Sequence, residues 1–173
     1  MLGDTHKYHK SVELQTMPVK LKSRNIRINA PRDVVFQAIL ALVTGNLLGG
    51  EPVKVRSRTA NTVVSELKSK GGFRVYDSVH EFTFEPPGHV TFTQLEGPLH
   101  SDRGEITLRE VEGATALEFR GEFTWSTVPI LGWLIGSINI ASIYNAVIAR
   151  HLLHVQAVAE VRAGHQTPSP PAP

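Results

Sequence analysis

The sequence predicts an α+β fold in which a curved antiparallel sheet wraps around one long C-terminal helix. Three observations carry that expectation. From Phe123 to Ala149 the chain has no formal charge, and this stretch closes an almost unbroken series of strand-like segments. Near the start, Ile28-Asn29-Ala30-Pro31 has the form of a strand running into a helix. From Val53 onward, period-two runs alternate with turn residues. A charge-free helix after such a sheet packs across it, and sheet curvature leaves room for an apolar ligand between the two.

The first strand is expected over residues 18–28, but its two patterns conflict. Lys20, Lys22 and Arg24 share the parity of Ile26 and Ile28, so a single strand cannot serve both without a bulge or a late start. Pro31 then suits the first helical position, with Asp33 near the positive end of the helix dipole. Val35, Phe36, Ile39, Leu40 and Val43 form the helix's apolar face, and Gly45 marks its stop. The segment Gly45-Asn46-Leu47-Leu48-Gly49-Gly50 reads as a short helix or a loop at a cavity mouth, or as a simple connector.

Six further strands follow, over residues 53–58, 62–69, 73–85, 90–96, 102–111 and 115–125. Lys70-Gly71-Gly72, Pro86-Pro87-Gly88, Gly97-Pro98 and Glu112-Gly113-Ala114 supply the turns of a meander. The last strand alternates most cleanly: Leu117, Phe119, Gly121, Phe123 and Trp125 on the buried face, Glu118, Arg120 and Glu122 on the wet one. Gly121, and Gly104 in step with Ile106 and Leu108, mark places where another element or a ligand comes close. After Pro129, apolar residues at Ile130, Leu134, Ala141, Tyr144, Ile148, Leu152, Val155 and Ala159 recur at helical spacing, and the helix is expected to reach Arg162.

Composition narrows the function. A net charge of +2 with no aromatics interleaved among the basic residues argues against nucleic acid, and Lys20, Lys22, Arg24 and Lys54, Arg56, Arg58 read as edge-strand protection. Zero cysteines exclude a disulfide framework, a thiolate zinc site and a cysteine nucleophile. Residues 1–10 lack the apolar core of a secretory signal, which makes the cytoplasm the default location. Residues 1–17 read as a flexible segment and 164–173 as a disordered Pro-rich tail. Ser137, Asn139, Ser142 and Asn145 count against a transmembrane span for the charge-free helix, while peripheral membrane contact stays open. His151 and His154, one turn apart, lack a third ligand, and no cofactor or metal is expected.

The order of elements resembles the START-like superfamily, also called helix-grip or SRPBCC proteins, which includes polyketide cyclases and dehydrases, lipid carriers and the pollen-allergen group. The residues that carry the resemblance are Ile28-Asn29-Ala30-Pro31-Arg32-Asp33-Val34-Val35-Phe36, the hairpins ending at Trp125, and the helix from about Pro129. The resemblance implies a START-like ligand-binding domain over residues 18–163, with seven strands, the first pairing beside the last, and both basic strands at sheet edges. An aromatic residue that often guards the pocket in this family is missing between Thr44 and Pro52.

Parity assigns the pocket wall. With the aromatic face of the third hairpin strand inward (the face that also carries Phe84), Tyr76, Ser78, His80 and Phe82 enter the cavity and Asp77 and Glu81 stay outside; a bulge would reverse part of this. Phe92 and Gln94 follow on the next strand, Phe119, Gly121 and Phe123 on the last, and Tyr144, Ile148 and His151 on the helix. These residues are expected to bind a lipid, polyketide or aromatic metabolite for carriage or sequestration. Tyr76, His80, Tyr144 and His151 are the candidates for a cyclase or dehydrase that moves protons or polarises a carbonyl. Equally, they can be partly buried residues satisfied by backbone, water or ligand, since no triad spacing or paired-carboxylate signature accompanies them. A third possibility is docking on a membrane or partner through Leu47–Leu48 or Ile130–Trp133.

Overall fold

A computed structural model describes residues 18–45, 53–71, 74–97, 99, 101–124 and 130–166. The elements are β1 (Val19–Lys20), β2 (Arg24–Ile28), α1 (Arg32–Val43), β3 (Val53–Arg58), β4 (Thr62–Gly71), β5 (Arg74–Glu85), β6 (His89–Glu96), β7 (Ser101–Val111), β8 (Ala114–Thr124) and α2 (Ile130–Gln166). All the pairings are antiparallel, in the order β1-β8-β7-β6-β5-β4-β3, with β2 also on β8. The two basic strands therefore lie at opposite ends of the sheet. On the β3 edge, Arg56 pairs with Glu66 and Glu96, and Lys54 joins Glu66.

The parity conflict of the first strand is resolved by a break. Lys20 faces Glu122 while Arg24 faces Phe119, so β1–β2 carries one residue more than β8 between those pairs. Leu21, before the break, and Ile28, after it, are both buried. Asn145 of α2 bridges the irregularity: its Oδ1 accepts the Lys22 N–H at 3.0 Å, and its carbonyl accepts Arg24 Nη2 at 3.1 Å. An asparagine in a charge-free helix is thus matched to strand backbone that has left the ladder.

Helix α1 begins one residue later than expected, because Pro31 takes the N-cap position. It ends where Gly45 adopts φ +71°, a conformation that favours glycine. Ser65 of β4 donates to the Val43 carbonyl at 2.6 Å, and Thr115 of β8 donates to the Ala30 carbonyl at 2.7 Å, so both ends of α1 are tied to the sheet. Phe36 meets Phe84 edge to face at 5.8 Å. This end of the concave face is solid, with Ile28, Val35, Ile39, Leu117, Val155 and Ala159 essentially inaccessible. Each of the Ile, Val and Leu side chains among them contributes roughly 1.5–3 kcal/mol of burial.

Helix α2 runs four residues past the expected end at Arg162. Among the described residues no helix is long and apolar enough to cross a membrane. Residues 1–17, 167–173, the Leu47–Leu48 loop, Trp125 and the side chains of Ile130–Trp133 lie outside the described residues.

Candidate functional site

The alternation of β5 aims Tyr76, Ser78, His80 and Phe82 at the concave face, as the aromatic parity requires. The β5–β6 pairing does contain an irregularity, but the extra residue is Leu95 of β6, half-exposed, so the alternation of β5 is undisturbed. Val90, Phe92 and Gln94 of β6 continue the wall, and Phe119 of β8 closes its floor. Across from them α2 presents Tyr144, Val147, Ile148 and His151. Between these surfaces lies a cavity of about 480 Å³, bordered at its inner end by Ile39 and Val43 of α1.

Two of the residues expected on the wall do not line it. Phe123 is completely buried behind Tyr144, its ring edge-on at 6.0 Å. Gly121 makes room for protein: a Cβ there would lie 3.0 Å from the Phe119 ring and 3.1 Å from Leu21. Gly104 serves the same purpose, because the Phe92 ring lies across it; a Cβ would come within 2.6 Å of both Phe92 Cζ and the Arg120 carbonyl. Phe92 then stacks on Phe119 at 6.2 Å. Both strand glycines mark close approaches by side chains of the sheet itself.

The residue that sequence reading passed over is Asp102. It is wholly inaccessible, and its Oδ2 accepts two hydrogen bonds: from the Tyr144 hydroxyl, and from His80 Nε2 at 3.0 Å. The signal was present, since Asp102 shares the inward parity of Gly104, Ile106 and Leu108 on β7; an acid on an apolar face asks for a partner. Tyr144 is held well above the ordinary tyrosine pKa, first by burial and then by the charge and hydrogen bond of Asp102. It therefore remains a protonated donor. His80 sits between the Phe82 and Phe92 rings, each 6.0 Å away, and its Nδ1 has no hydrogen-bond partner among the described residues.

Other polar groups also border the cavity. Gln94 spends its amide on the Leu99 carbonyl at 2.7 Å, bracing the β6–β7 turn. Tyr76 and Ser78 of β5 and His151 of α2 line the cavity. Among the described residues no three His, Asp or Glu side chains converge as metal ligands do.

No protein-family model matches the sequence, and no curated protein sequence matches it. Solved structures do match. TTHA0849 from Thermus thermophilus aligns over 84% of this chain and 99% of its own, at 15% identity and a TM-score of 0.71. The Zhui aromatase/cyclase from Streptomyces sp. R1128 aligns over 88% of this chain and 98% of its own, at 15% identity and 0.68. A START superfamily protein from Mycobacterium smegmatis aligns over 86% and 100%, at 11% identity and 0.56. At such identities the likeness is one of fold, and the fold is START-like: a helix-grip sheet around a C-terminal helix.

Proposed function

We propose that the protein binds an apolar small molecule, a lipid, polyketide or aromatic metabolite, between the sheet and α2, for carriage or sequestration. The observation that carries the reading is the cavity itself. About 480 Å³ is left open in a domain whose other concave half is close-packed, and its wall is mainly Phe, Leu, Ile and Val. Empty apolar volume costs stability, so a space of this size is best understood as made for an occupant. The setting proposed for this activity is the cytoplasm, in keeping with a chain that has no cysteine.

Native mass spectrometry of protein purified from its own host tests the reading directly, because a retained ligand names its own class. Titration with an apolar fluorescent probe supplies the control. Wild type is expected to bind it and Ile148→Trp, which projects bulk into the cavity, to lose it with the fold intact. Equal binding by both proteins would refute the proposal.

A second reading, a cyclase or dehydrase, is favoured by Asp102 bridging His80 and Tyr144 beside the cavity. Such a carboxylate orients an imidazole for proton transfer. Cyclisation or dehydration of a short poly-β-ketone should then be lost in His80→Ala while affinity persists. Unchanged turnover in that variant removes His80 from the chemistry.

A further inference from the structure

The Tyr144 hydroxyl has one proton, and it is directed at Asp102 Oδ2. The same oxygen takes His80 Nε2 at 3.0 Å. What Tyr144 can offer a ligand follows by subtraction: with its one proton directed at Asp102, its oxygen keeps only lone pairs. Tyr144 lines the cavity, and the nearby Phe82, Phe92 and Ile106 can supply no donor.

We infer that the cavity selects its ligand by a hydrogen-bond donor, a phenolic or enolic hydroxyl on an apolar body, received by Tyr144. The inference rests on the cavity-binding reading and adds the polarity of the contact. A carbonyl or ether oxygen placed there would face lone pairs, losing its water without a replacement. A hydroxyl instead extends the chain from ligand through Tyr144 to Asp102, in which each bond polarises the next.

The test compares 2-naphthol with 2-methoxynaphthalene by isothermal titration calorimetry. The ether is the larger and more apolar, so area burial alone favours it. Wild type is expected to bind the naphthol about tenfold more tightly, the effect of one satisfied buried hydrogen bond. In Tyr144→Phe, checked for folding by thermal melt, the preference should shrink to roughly threefold or less. Equal or ether-favouring binding by wild type overturns the inference and leaves cavity binding standing, and this comparison needs no variant. A naphthol preference unchanged in Tyr144→Phe overturns the assignment to Tyr144. Failure of wild type to bind either compound counts against both the inference and the reading beneath it.

Discussion

Tyr144 of α2 donates its hydroxyl to Asp102 near the start of β7, joining the terminal helix to the sheet through a completely buried side chain. Phe123 backs the Tyr144 ring at an interplanar angle of 74°, so the hydroxyl is positioned by packing as well as by its acceptor. The same carboxylate holds His80 across the sheet. One acid thus sets the orientation of two cavity-lining residues from different elements.

Removing that acid should destabilise the fold. Asp102→Ala leaves the Tyr144 O–H and the His80 N–H as buried donors without an acceptor, for which a loss of about 3 kcal/mol is expected in urea unfolding. A loss below about 0.5 kcal/mol would mean that the three groups find other partners readily.

Alkaline titration should single out Tyr144. Its folded pKa is raised, by burial first and by Asp102 second, so the folded state favours the protonated phenol. The sign follows: this stabilisation is fully present below the ordinary tyrosine value of about 10 and is lost as pH rises beyond it, where the unfolded phenol ionises. Ionisation of Tyr144, followed at 295 nm, should be delayed until the protein unfolds. Tyr144→Phe should remove that late step.

Two glycines should respond oppositely to alanine. At Gly104 a Cβ would collide with the Arg120 carbonyl, which cannot swing aside, and Gly104→Ala should cost roughly 1–3 kcal/mol. At Gly164, within α2, none of the described residues lies within 4 Å of the added carbon. Gly164→Ala should raise stability by about 0.5–1 kcal/mol through helix propensity. Thermal melts of the two variants check the contrast.

Asn145→Ala should weaken the seam between α2 and the β1–β2 break. The Lys22 N–H would lose its acceptor at an exposed position, a cost of about 1 kcal/mol. Hydrogen exchange at Lys22 should accelerate, while exchange at Ile28, in the buried part of β2, should hardly change.

Much of this arrangement was legible in the chain. Alternation placed Leu117, Phe119 and Phe123 inward and Glu118, Arg120 and Glu122 outward, and the structure has them so, because a strand's side chains can only take turns across its two faces. The clash of parity between Lys20 and Ile28 even announced the break in the first strand. Helical spacing likewise identified Tyr144, Ile148, Leu152 and Val155 as the inner face of α2.

What the sequence determined by itself was therefore the face each residue occupies, since that depends on local geometry repeated along one segment. Which residues meet across the space was decided by tertiary structure alone. Asp102, His80 and Tyr144 come from two strands and a helix, and their convergence depends on the register of β5, β6 and β7 and on the path of α2. Likewise Phe123 stands behind the cavity wall while Phe119 lines it, although both share one face of β8. The sheet's curvature and the helix above it separate them, and no alternation of side chains encodes that distance.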